Sequence, residues 1–256
     1  MRFTTKLLAL GILASTASVS MAEDNTLSQL GLTFSGSAAL TSDYRFRGVT
    51  QTGSDPAVQA GFTLAHSSGF YAGVWGSNVD FGEGSPHLEL DPSIGYSTTL
   101  ENFSKKPVID VGVVYYNYPS YSDANWAELY GKVTLKDLAV SGDSLLTNIN
   151  FTNDYAATDT NSWNINFGYA LPFGDTGFGG VAAVGYTVVD DEEKYSFNGD
   201  DNYVDWKVGV NYGFKSVQGL SAELAAVGTN IDTDGWTSAA ERGVDTGAVF
   251  TLTKAF

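Results

Sequence analysis

Residues 203–214, YVDWKVGVNYGF, put Val204, Trp206, Val208, Val210, Tyr212 and Phe214 on one parity and Asp205, Lys207, Gly209, Asn211 and Gly213 on the other. Successive side chains of an extended chain point to opposite faces, so this stretch predicts a strand with one apolar and one polar face. One such strand would suit a soluble sandwich. About a dozen of them in a single chain describe a membrane barrel, apolar towards lipid and polar towards its lumen.

The N-terminal stretch agrees with export. Arg2 and Lys6 precede an apolar run, residues 7–14, and then the small-residue site Ser20-Met21-Ala22. The run is far shorter than the roughly 20 residues that cross a bilayer as a helix, so residues 1–22 are expected to be a cleaved signal peptide. The mature chain is then one domain, residues 23–256. Mean hydropathy is −0.07, as a polar lumen diluting every apolar strand requires, and no later run is long enough for a helical span.

Composition narrows the function. Cysteine is absent, which removes disulfides and thiolate metal sites, and there are only two histidines, His66 and His87. Without Arg2 and Lys6 the chain keeps 11 basic against 29 acidic residues, a formal charge of −18. That balance argues against nucleic acid as a partner. Glycine (29) suits strands that must bend and close, and the 14 Tyr, 15 Phe and 5 Trp suit the girdles where a barrel meets lipid headgroups.

The expected fold is therefore all-β, a transmembrane antiparallel β-barrel of about twelve strands. The alternation places them at 32–47, 55–66, 69–79, 88–98, 108–117, 125–136, 144–153, 162–171, 178–189, 203–214, 219–229 and 245–256. Both ends of a bacterial barrel lie in the periplasm, so odd-numbered connections face outward and should be the longer set. The links 118–124, 154–161, 190–202 and 230–244 are polar and often acidic, whereas 66–69, 172–177 and 215–218 are short turns; 99–107 is a longer exception. In the last strand, Gly247, Phe250, Leu252 and the terminal Phe256 match the order of a C-terminal signal read by the barrel assembly machinery.

Two motifs invite chemistry and are better read as structure. Gly142-Asp143-Ser144-Leu145 spells a hydrolase motif, but a serine nucleophile needs a base. Both histidines precede the motif, whereas that hydrolase class places its histidine near the C-terminus. The segment reads as a turn. Asp232-x-Asp234-Gly235 lacks the closing Glu of a calcium loop, since Gly243 stands at its twelfth position. It and the run 190–193 read as solvated acidic loops, with divalent bridging to lipopolysaccharide as the alternative. No cofactor, metal site or catalytic residue is expected.

The candidate site is the set of charges on lumen parity: Asp43, Glu89, Asp91, Asp110, Glu128, Asp205 and Glu223, with Arg45, Arg47, Lys132 and Lys207. They form either a salt-bridge network that packs the interior or a pore lining that sets selectivity. Seven acids against four bases predict a modest cation preference.

Residues 40–48 (LTSDYRFRG), 55–59 (DPAVQ), 69–75 (GFYAGVW) with 77–81 (SNVDF), 89–91 (ELD) and 205–210 (DWKVGV) resemble the TorF family of porins. The resemblance spans the mature chain. It implies an outer-membrane barrel and brings no catalytic residues. The expected function, read beside it, is a Gram-negative outer-membrane channel for passive diffusion of small hydrophilic solutes or ions, with outer-membrane lipid and lipopolysaccharide around it. A barrel-embedded hydrolase is disfavoured; a non-conducting structural or adhesive barrel with acidic surface loops is the runner-up.

Overall fold

Antiparallel strands that must satisfy every backbone N–H and C=O without help from solvent can do so only by closing on themselves. A computed structural model describes residues 25–82 and 84–256; the expected signal peptide, 1–22, lies outside the described residues. After a short helix, α1 (Asn25–Gln29), the chain forms β1 (Leu32–Thr41) and a two-residue hairpin, β2 (Arg45–Phe46) and β3 (Val49–Thr50). Then follow β4 (Ala57–His66), β5 (Phe70–Asn78), β6 (Leu88–Thr99), β7 (Val108–Tyr116), β8 (Trp126–Lys136), β9 (Ser144–Thr152), β10 (Ser162–Pro172), β11 (Phe178–Val189), β12 (Asn202–Gly213) and β13 (Leu220–Thr229). Helix α2 (Ser238–Val244) precedes the last strand, β14 (Gly247–Ala255). Twelve strands, β1 and β4 to β14, make one closed barrel in which each pairs antiparallel with its sequence neighbour and β14 returns to β1. The closing pair sets Ser37–Thr41 against Thr251–Ala255.

The register puts the apolar parity outside. Val58 is 66% exposed and Val208 57%, and Ile94, Val111, Leu129, Ile149, Val184 and Leu224 form the same outer band. Aromatics border it. Near the short-turn rim, Phe34 stacks on Phe62, Phe62 meets Phe256, and Phe178 meets Tyr212; towards the long-loop rim stand Phe151 and Trp163, 4.6 Å apart. An apolar belt between two aromatic girdles fits a bilayer and would not suit water.

Glycines explain how large inward side chains fit. A Cβ at Gly95 would collide with the Tyr71 ring, and one at Gly112 with the Tyr130 ring. Both tyrosines therefore lie flat against the inner wall, where their hydroxyls meet and Tyr71 also donates to Asp110 at 2.7 Å.

The structure departs from the alternation at two places. The first strand was expected to run to residue 47 but ends at Thr41, and Asp43, Arg45 and Arg47 belong to an excursion of the chain, not to the wall. Arg47 has φ 49° and Gly48 φ 82°, conformations no ladder accepts. Asp43 takes bonds from Arg45 Nε at 2.5 Å and Thr50 Oγ1 at 2.6 Å, so local side-chain bonding replaces strand pairing. The link 230–244 contains α2, capped by Thr237, whose hydroxyl accepts from the Ala240 N–H at 3.4 Å; Asp245 terminates this helix and is not part of the last strand.

Asp143 of the hydrolase-like motif staples the turn between β8 and β9. Its carboxylate accepts from the Leu138, Ala139 and Val140 amides and, at 2.5 Å, from the Tyr169 hydroxyl. The Tyr169 bond and those amides hold the carboxyl well below the usual carboxylate range.

Two outcomes follow from this architecture. Val208→Arg, on the lipid face of β12, should cost about 2 to 4 kcal/mol near the bilayer midplane, and Asn211→Arg, facing inward, distinctly less; reversible unfolding in lipid measures both. A carboxyl with a depressed pKa stabilises the fold above its unfolded value and loses that stabilisation as pH falls through the folded one. Asp143→Asn should therefore lower the melting temperature at pH 7, with the deficit shrinking only below about pH 4, where an ordinary carboxylate starts to protonate.

Candidate functional site: the loop-filled lumen

The first long loop, residues 42–56, turns into the barrel and touches wall strands on several sides. Tyr44 packs edge-on against Trp75 of β5 at 5.2 Å, and Phe46 against Tyr116 of β7 at 5.6 Å. Arg47 Nη2 reaches both oxygens of Glu128 on β8, at 2.7 and 2.8 Å, while its backbone carbonyl accepts from the Tyr203 hydroxyl on β12 at 3.1 Å. A Cβ at Gly48 would collide with Thr229 of β13, so glycine lets the loop tip seat there. Arg45 Nη1 and Nη2 donate at 2.7 Å to the Gly243 and Arg242 carbonyls, tying the loop to α2. Charged hydrogen bonds of this kind are the stronger ones in a folded chain.

Above this plug the long-loop mouth is apolar. Tyr116, Tyr118, Trp126, Tyr155, Val189, Phe197 and Tyr203 form a buried cluster with Val79, and Tyr195 and Ile231 pack against it. Tyr116 stacks on Trp126 at 4.2 Å, Trp126 meets Tyr155 edge-on at 5.3 Å, and Phe197 meets Tyr203 at 4.4 Å. The residues come from five of the six long loops and the strand ends between them. Towards the short-turn rim the lining is small and polar: Ser35, Ser37, Ser97, Asn148, Asn166 and Asn211 are all partly accessible.

The charged set predicted for the lumen lies inside the barrel, though not as a uniform lining. Glu89, Asp91, Asp110, Glu128, Lys132 and Asp205 are buried on the wall; Asp43, Arg45 and Arg47 come from the in-folded loop. Four pairings appear. Arg45 meets Asp43, and Arg47 meets Glu128, to which Tyr116 also donates at 3.1 Å. Lys207 meets Glu223 at 2.9 Å, with side chains 27% and 20% exposed, and Lys132 is the cross-strand partner of Asp110 and stands 4.2 Å over the Tyr130 ring. Glu89 and Asp91 have no basic partner among the described residues. Between the charged strands β8 and β12 runs a neutral ladder that charge alone did not single out: Asn150 donates to Asn164 at 3.0 Å, and Asn164 to Thr187 at 2.9 Å. Its signal was the run of inward Asn and Thr at alternate positions in 148–152 and 164–166. Of the terminal residues, Phe250 and Leu252 face outward, Gly247 faces inward, and Phe256 packs on Phe62.

A closed twelve-strand antiparallel barrel with a polar interior and an apolar outer belt is the fold of a transmembrane β-barrel. The NanC porin structure superposes with a TM-score of 0.53 at 8% identity, over 88% of this chain and 99% of that one. The KdgM porin does so with a TM-score of 0.49 at 8% identity, over 87% and 98%. The chain belongs to the bacterial family Gcw_chp, described as a bacterial protein of unknown function, whose profile matches residues 26–256. That description does not carry the TorF name. No curated protein matches the sequence.

Removing one member of a buried ion pair leaves a charge without compensation, and a loop can escape that cost by leaving its seat. Glu128→Ala should therefore release the first loop and expose Arg45 and Arg47. Trypsin should then cut after them on the order of 10-fold faster or more, with the barrel still folded by its gel mobility; unchanged cleavage would mean that the pair does not seat the loop.

Proposed function

We propose that this protein is an outer-membrane channel for the passive diffusion of small hydrophilic solutes or ions, its first loop forming the constriction. It would reach the outer membrane through the periplasm, be inserted by the barrel assembly machinery, and sit among lipopolysaccharide and lipid. The observation that carries this reading is the division of the lumen into a small-residue polar half and a loop-filled half. The tip of the filling loop is held by ion pairs, hydrogen bonds and ring contacts and not by pairing with the wall, and such a plug can move or leave gaps without opening the barrel. An acidic rim, with Asp190, Asp191, Glu192, Glu193, Asp232 and Asp234 all in long loops, favours cations at low salt and loses that preference as salt screens it.

The aromatic cluster at the mouth favours a second reading, a non-conducting structural barrel. Planar-bilayer recording separates the two. The wild-type protein should give small, weakly cation-selective steps. Replacement of residues 43–54 by a short Gly-Ser link should raise conductance several-fold towards that of an open twelve-strand barrel. Silence from the wild type with conduction by the loop variant would support the structural reading, and silence from both would end the channel reading.

A further inference from the structure

The four basic side chains of the lumen are all committed: Arg45 to Asp43, Arg47 to Glu128, Lys207 to Glu223, and Lys132 beside Asp110. Asp205 lies in the field of Arg47. Glu89 and Asp91 are left, at i and i+2 on the inner face of β6, only 2% and 5% exposed. Two neighbouring buried carboxylates without a counter-charge are strongly unfavourable unless a proton or some other cation joins them.

Their surroundings say what kind of cation. Trp75 is the register partner of Asp91, Tyr44 packs edge-on against Trp75, and Tyr118 donates to Glu89 Oε1 at 3.1 Å. Glu89 Oε2 is buried without a hydrogen bond of normal geometry, the Tyr44 hydroxyl lying near that carboxyl, and Asp91 Oδ1 receives only a long 3.4 Å bond from the Asn117 N–H. Aromatic rings attract cations to their faces, and an unfilled buried carboxylate oxygen calls for a hydrogen-bond donor. A hard metal ion would want six or more oxygen ligands, and among the described residues no group of three or more acidic or histidine side chains is gathered for one. An alkylammonium supplies charge, N–H donors and an apolar stem together.

We propose that Glu89 and Asp91, walled by Tyr44, Trp75 and Tyr118, bind the ammonium group of a primary alkylamine passing through the lumen. The inference rests on the channel reading and gives it a solute class. Tyr44 belongs to the in-folded loop, so the bound ammonium touches wall and plug at once.

The test titrates 1,4-diaminobutane into the refolded protein in detergent, following heat of binding and tryptophan fluorescence, and adds the same amine to bilayer recordings. Saturable binding is expected, weakened about ten-fold or more in Glu89→Gln/Asp91→Asn by loss of both charges. Glu101→Gln/Asp175→Asn removes the same charge at the short-turn rim and should bind as the wild type does. The carboxamides are near-isosteric and relieve a buried repulsion, so an undiminished melting temperature certifies the fold, and Glu89→Gln alone serves if the pair does not refold. Absence of saturable binding, equal weakening in both double variants, or displacement of the amine by equimolar calcium overturns the proposal. Amine binding without conductance keeps the site and removes the channel; conductance without amine binding does the reverse.

Discussion

Everything in this molecule follows from the closure of its hydrogen-bonded ladder. A strand edge left open in hydrocarbon exposes backbone groups at a cost of several kcal/mol each, so the first and last strands must find each other. They do so over a short stretch, Ser37–Thr41 against Thr251–Ala255, extended by the Ser42 N–H to the Phe250 carbonyl and by a reciprocal Gly36–Phe256 pair. Once the ring is closed, parity decides the rest. Each residue faces either lipid or lumen, and the inner surface becomes a fixed frame on which charge and aromatic rings are arranged.

The frame was legible because its period is simple. Alternation located all twelve wall strands, and eleven of them end within about two residues of the positions it gives, the usual uncertainty of an element boundary. What it could not show is where alternation continues without a wall. Asp43-Tyr44-Arg45-Phe46-Arg47 alternates as well as any strand here, yet the chain leaves the sheet at Ser42. The deciding facts, a positive φ at Arg47 and a carboxylate at Asp43 that satisfies Arg45 and Thr50 locally, are tertiary and conformational. Helix α2 was hidden for a related reason, since seven residues between acidic turns give too short a period to recognise.

Parity placed eight of the eleven charges on the inner wall, and the in-folded loop brought the other three, Asp43, Arg45 and Arg47. Which base takes which acid depends on how far that loop reaches. Arg47 and Glu128 are 81 residues apart, and Arg45 meets the Gly243 carbonyl 198 residues away. The isolation of Glu89 and Asp91 is visible only after those partners are assigned. The aromatic cluster was hidden too, because Tyr155, Phe197 and Tyr203 come from segments that read separately as polar loops or strand ends.

The plug also imposes an order of events on the maturing chain. β1 and β4 are sequence neighbours and can pair as a local hairpin, so the loop between them is made among the earliest elements. Its seat is made among the last, since it needs Glu128 of β8, Tyr203 of β12, Thr229 of β13 and the carbonyls beside α2. A loop that seats inside a ring has no place to dock until the ring exists. Arg45 can pair with Asp43 at once, but Arg47 has no partner until Glu128 of β8 is in the wall, and the loop takes its seat only then.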